Sequence, residues 1–208
     1  QVISLSGGTD VCTAFVGGHP EMKVIPGEIQ CKMLGAPVEV WNTDGEKILN
    51  RAGELVLSKP FLSMPIGLWG DVDNRLMQTS YYGVYHQVWN HGDWATEKDT
   101  GTFIIHGRSD ATLNRQGVRI GTAEIYNSLN TRKDLKDCLV IHLTSDKQDY
   151  LLLFVVAQAE VDEKEIRAQL REQYSPRHVP DHVIPVPDIP YTLSGKKVEI
   201  PIKRVLMG

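Results

Sequence analysis

Gly107-Arg108-Ser109-Asp110-Ala111-Thr112-Leu113-Asn114-Arg115-Gln116-Gly117-Val118-Arg119-Ile120-Gly121-Thr122-Ala123-Glu124-Ile125-Tyr126 is where the character of the chain changes. Upstream of it, short strand patterns alternate with Gly-rich turns. Downstream, Thr122 to Leu129 has helical spacing, with Thr122 as N-cap and Ile125 and Leu129 on one face. The change places a domain boundary at Asp110. Residues 1–109 then form a β-rich piece and residues 110–208 an α+β domain of about 100 residues.

Working outward, Cys138 to Leu143 and Tyr150 to Val156 read as strands with a charged turn between them. Asp162 opens a helix running to Tyr174, with Ile166 and Leu170 one turn apart and acidic residues in its first turn. Val183 to Val186 reads as a last strand. On the upstream side, Thr102 to His106 reads as a strand, and Trp89 to Trp94 as a strand end plus a turn. Lys59 to Tyr85, rich in Pro, Gly and aromatics, reads as a long irregular loop. Glu54 to Leu57 is a strand. Pro37 to Trp41 and Glu46 to Leu49 flank the turn Asn42-Thr43-Asp44-Gly45 as a hairpin. Val2 to Leu5 reads as a buried strand entering the Gly-rich turn Ser6-Gly7-Gly8-Thr9-Asp10.

The 208 residues carry a net charge of −4, with 41% hydrophobic and 23% charged residues, an ordinary globular composition. Such a balance gives no reason to expect nucleic acid as a partner. The negative charge falls in residues 1–109, and the remainder is neutral, so the second domain suits an anionic ligand better. Cys12, Cys31 and Cys138 fit neither a disulfide framework nor a zinc site. The seven histidines are dispersed along the chain, so a metal site is not expected, and His178 beside Arg177 reads as structural. No apolar run has membrane-spanning length. The expected setting is the cytoplasm. The chain opens at Gln1 without an initiator Met, which suggests a piece of a longer protein.

Four polar clusters can carry chemistry. In Gly7-Gly8-Thr9-Asp10, turn amides can cradle a phosphate, and Asp10 is a hard oxygen ligand suited to Mg²⁺. In His91-Gly92-Asp93, a carboxylate after a glycine can accept two ribose hydroxyls. Arg108 and Arg119 are forked donors for a phosphate. In Ile189-Pro190-Tyr191-Thr192-Leu193-Ser194-Gly195-Lys196-Lys197-Val198, a Gly-bearing loop presents a lysine at its tip. Taken singly, each is also an ordinary turn, cap or solvated hairpin.

Taken together, their order and spacing resemble the C-terminal part of the adenylate-forming acyl-CoA synthetase superfamily. The resemblance covers essentially all 208 residues. Ser6-Gly7-Gly8-Thr9-Asp10, Trp89-Asn90-His91-Gly92-Asp93 and Tyr191 to Glu199 look most like its acetoacetate-activating branch. It implies the α/β end of a large adenylation domain at 1–109, then a small mobile α+β lid at 110–208 with Asp110 as hinge. It implies ATP, Mg²⁺ and CoA as cofactors or substrates and an acyl-adenylate intermediate. By the same resemblance Lys196 is catalytic. Gly8, Thr9, Asp93, Arg108 and Arg119 bind the nucleotide, Asp10 stands at the metal, and Gly117 and Arg171 meet CoA. The implied partners are small molecules acting on a monomer, without nucleic acid or membrane. The family's glycine-rich phosphate loop would lie upstream of Gln1, so the chain is expected to be inactive alone. A ligase for another short-chain acid, or a non-catalytic module that keeps the fold, are the alternatives.

Overall fold

The first 109 residues build two antiparallel sheets in the computed structural model. The structure describes residues 3–109, 112–115, 118–145, 148–193 and 195–208, with backbone only at Asn114, Val118, Arg119, Ser145 and Gln148. Two compact units result, Gln1–Ser109 and Asp110–Gly208.

In the first unit, β1 (Ser6–Gly8), β2 (Thr13–Gly17) and β3 (Cys31–Lys32) form one sheet in that order. A second sheet runs β4 (Val38–Trp41), β5 (Ala52–Leu57), β6 (Trp89–Glu97), β7 (Phe103–Arg108). Every pair in both sheets is antiparallel. β4 alternates buried and half-buried residues as a one-faced strand must. Its inward Val38 and Val40 join Phe15, Leu55, Leu57, Trp89 and Phe103 in one fully buried cluster. Each such side chain contributes roughly 1.5–3 kcal/mol of transfer free energy.

Four expectations for this unit need correction. Ile3 and Leu5 are exposed and outside any strand. Ser6 already pairs with Val16, and β2 ends one residue later, so the ladder has no partner left for them; Val2 lies outside the described residues. The Asn42 turn forms, with the Asn42 side chain accepting from the amides of Asp44 and Glu46. Glu46 to Leu49 nevertheless makes only one bridge, Trp41 to Lys47, on the open edge of β4, with backbone bonds from Asn42 to Glu46 and from Ile48 to Val40 but no ladder beyond them. The stretch from Lys59 to Tyr85 contains a helix, α1 (Arg75–Tyr81). Finally, β6 does not end at a turn. It runs through Gly92, which holds φ +79, and continues to Glu97.

In the second unit, β8 (Leu113–Arg115) and β9 (Val118–Ile120) form a hairpin leading to α2 (Thr122–Leu129). The N-cap of α2 is Gly121, and Thr122 is its first, buried residue. The long antiparallel pair β10 (Leu135–Ser145) and β11 (Gln148–Ala157) is extended by β12 (His182–Pro185), parallel to β11. A parallel neighbour needs a crossover. α3 (Glu163–Gln173) and the 3₁₀ turn Pro176–His178 supply it. The Asp162 carboxylate caps α3 by accepting from the Lys164 amide at 2.7 Å. Ile166 and Leu170 are fully buried against Ile125, Leu129, Leu151 and Leu153. α4 (Glu199–Met207) closes the chain, with Pro201 in its first turn, where a missing N–H costs no helical bond. Among the described residues no helix is long and apolar enough to cross a membrane. The mixture of strands and packed helices is the α/β and α+β architecture expected.

Candidate active site

Antiparallel pairing sets Asp93 on β6 directly opposite Arg108 on β7. Nη1 of Arg108 donates to Oδ1 of Asp93 at 3.2 Å and to the His91 carbonyl at 3.0 Å. The Ser6 hydroxyl reaches the other carboxylate oxygen at 3.4 Å. Asp93 is 8% exposed, whereas the Arg108 side chain is 49% exposed. A buried carboxylate is thus held by a half-solvated cation. Gly92 suits this place because its φ of +79 strains any side-chain-bearing residue. A Cβ on it would also stand 2.6 Å from Nη2 of Arg108 and push that guanidinium aside.

The Gly8 turn sits against the same strand. Nε2 of His91 lies 3.2 Å from the Gly7 carbonyl and 3.6 Å from Oδ2 of Asp93, with its ring edge-on to Phe15. A Cβ on Gly8 would come within 2.7 Å of the His91 ring. Thr9 follows, exposed, its carbonyl accepting from the Cys12 amide at 3.1 Å. Asp10 accepts a short hydrogen bond from the Tyr81 hydroxyl. Tyr81 stacks on Trp89 at 3.7 Å between ring centres. Burial first, and the Asp10 carboxylate second, push its phenol up to about 12. The structure therefore brings Gly8, Asp10, Asp93 and Arg108 to one edge of the first unit, and adds Tyr81 and His91.

Tyr81 is hidden in the sequence because α1, which carries it, is hidden too. That helix has no side-chain cap at its own N-cap, Asn74, which is left-handed at φ 54. Asp71 does the work from upstream, its carboxylate accepting from the amides of Leu76 and Met77.

In the second unit, Lys196 sits in a tight hairpin. The Thr192 amide donates to the Lys196 carbonyl at 2.8 Å, and the Lys196 amide donates to the Thr192 hydroxyl at 3.0 Å. Gly195 takes φ +78 and its amide donates to the Thr192 carbonyl. Lys196 is exposed, and no described residue pairs with its ammonium. Arg171 lies exposed in the last turn of α3. Asp110, Gly117 and the Arg119 side chain, expected as hinge, CoA contact and phosphate contact, lie outside the described residues, as does Ser194. His178 is buried, with Nε2 2.6 Å from Glu124 and Nδ1 2.9 Å from the Ser175 hydroxyl, which fits a structural tie between α2 and the 3₁₀ turn.

The described residues hold no cluster of three or more His, Cys, Asp or Glu that could ligate a metal. A Mg²⁺ ion held by one carboxylate and substrate phosphates needs no such cluster, and exposed Asp10, with one oxygen on Tyr81, fits that use.

Residues 124–196 match the AMP-binding enzyme C-terminal domain. The acetoacetyl-coenzyme A synthetase of Rhizobium meliloti (strain 1021) is 43% identical over 213 residues, which is 100% of this chain and 33% of the relative. The solved acetoacetyl-CoA synthetase from Streptomyces lividans superposes with a TM-score of 0.92 at 43% identity, covering 99% of this chain and 32% of that one. An anthranilate CoA ligase in complex with anthranoyl-AMP gives 0.81 at 17% identity over 99% of this chain and 39% of that one, a likeness of fold alone. The chain spans about a third of the length of the curated relatives it matches.

Proposed function

For a chain that carries the C-terminal domain of AMP-binding enzymes and is homologous along its whole length to acetoacetyl-CoA synthetases, we propose the C-terminal portion of an AMP-forming acid–thiol ligase. Its reaction is the formation of acetoacetyl-CoA from acetoacetate, ATP and CoA. The acetoacetate carboxylate attacks the α-phosphorus and pyrophosphate leaves. The CoA thiolate then attacks the acyl carbon and AMP leaves. The carrying observation is Asp93, buried and held by Arg108; in the second unit Lys196 stands exposed on a hairpin, which supports the reading.

Asp93 accepts the ribose hydroxyls through lone pairs that Arg108 and Ser6 leave over. Arg108 holds it in place, and faces the nucleotide with its exposed half. The amides at Gly8 and Thr9 meet the α-phosphate. Asp10, oriented by Tyr81, holds Mg²⁺, which neutralises phosphate charge when bound. Lys196 brings its ammonium to the carboxylate and bridging oxygens where charge develops. Arg119 is a further phosphate contact. Gly117 and Arg171 meet CoA, and Asp110 is the hinge that exchanges the two halves of the reaction. The setting is the cytoplasm and the active species a monomer.

The two half-reactions separate these roles. In the complete protein carrying these residues, Lys196→Ala should lower acid-dependent pyrophosphate exchange by on the order of 10² or more. Thioester formation from supplied acyl-adenylate and CoA should stay near wild type. Equal loss of both, or no loss, would refute the assignment of Lys196.

A further inference from the structure

Two adjacent lysines in the hairpin have opposite fates. Successive residues of an extended strand point to opposite faces. Lys196 points outward, so Lys197 points in. There its ammonium donates short hydrogen bonds to Oδ1 of Asp137 and to the Cys138 carbonyl on β10. It also lies over the Tyr126 ring, 4.6 Å from the centroid, and 5.9 Å from that of Tyr191. Asp137 takes a second bond, 2.5 Å from the Tyr191 hydroxyl. Tyr191 and Lys197 are themselves paired as the bridge that closes the hairpin. One carboxylate thus clamps both legs of the loop at its base.

The clamp extends into the flanking elements. The Tyr126 hydroxyl, from α2, donates to Glu199 in the first turn of α4 at 2.6 Å and accepts from the Val140 amide at 3.1 Å. Val198 donates to the Pro190 carbonyl at 3.2 Å, one step below the bridge. The exposed tip between these ties carries Lys196.

We propose that Lys197, with Asp137 and Tyr191, is a positioning residue that fixes the height and direction of Lys196 for the adenylation step. The inference rests on the role proposed above for Lys196. Lys197 needs no contact with substrate to matter. A displacement of about 1 Å in a group that stabilises a transition state can cost up to about 10²-fold in rate. A clamp at the loop base holds such a displacement down.

The test uses Lys197→Met in the complete protein, which keeps an apolar stem over Tyr126 and removes the cation. Acid-dependent pyrophosphate exchange should fall roughly 10- to 50-fold through kcat, with the KM for ATP nearly unchanged. Thioester formation from supplied adenylate should hold. Amide exchange at Gly195 and Lys196 should quicken. Lys197→Arg, which keeps a cation on Asp137, should recover most of the rate. If the methionine variant folds poorly, Asp137→Asn gives the same readouts with the shape preserved. Parallel loss of both half-reactions in step with the folded fraction would make the clamp merely structural and overturn the proposal, as would unchanged exchange kinetics. A wild-type protein without acid-dependent exchange would instead overturn the proposed function, and the amide-exchange comparison would then judge the clamp alone.

Discussion

Replacing Asp93 separates what it does for the fold from what it does for a nucleotide. Asp93→Asn keeps the shape and one oxygen for Arg108, and the Ser6 hydroxyl can turn to accept from the new amide. What is lost is the charge. A charge-assisted hydrogen bond contributes about 1.5–3 kcal/mol when both groups are dry. Arg108 is half exposed, so water recovers much of that, and the cost to unfolding free energy should stay near 1 kcal/mol. Nucleotide binding should suffer more. An amide can donate to one ribose hydroxyl but cannot accept from two, and losing roughly 1.5–3 kcal/mol there weakens binding about 10- to 100-fold. Calorimetric titration of the complete protein with AMP, beside a denaturant melt, measures both quantities. A stability loss of several kcal/mol with unchanged AMP affinity would make Asp93 a structural carboxylate with no part in holding the ribose.

Other outcomes follow from the same geometry. Although burial raises it, the Lys197 ammonium and the Tyr191 hydroxyl hold the Asp137 carboxyl below its ordinary value, so its unfolded pKa is the higher one. Its stabilising contribution should therefore be complete above about pH 4 and fade as acid carries the pH down through the lowered folded value; melts of wild type and Asp137→Asn should converge in acid, and a gap that widened there would contradict the sign. Leu170→Ala, at a fully buried helix position, should cost about 2–5 kcal/mol in urea unfolding, and under 1 kcal/mol would show that the site collapses around the hole. Tyr81→Phe should leave the Trp89 stack and the melting temperature nearly intact while raising the Mg²⁺ requirement of exchange about two- to tenfold; an unchanged requirement would remove Tyr81 from the site.

Legibility in the sequence followed the range of the interaction. α3 was readable because its cap, its acidic first turn and its Ile166–Leu170 stripe are all local. α1 was hidden because its cap comes from Asp71, outside the helix, and Asn74 takes a left-handed conformation that sequence does not announce. The continuation of β6 through Gly92 was hidden for a related reason. A glycine that ends strands elsewhere here makes room for Arg108 across the ladder. Asp10, Asp93 and Lys196 were visible as residue types in motifs. Lys197 could not be told from Lys196 by type, and Asp137 lies 60 residues away from it. Only the fold reveals which lysine faces inward.

Exchange of labelled pyrophosphate into ATP by the complete protein, with acetoacetate against acetate, propionate and butyrate, measures the proposed adenylation itself. Exchange should require Mg²⁺ and an acid and be fastest with acetoacetate. A preference for butyrate would contradict the substrate, and no exchange with any acid would contradict adenylation itself.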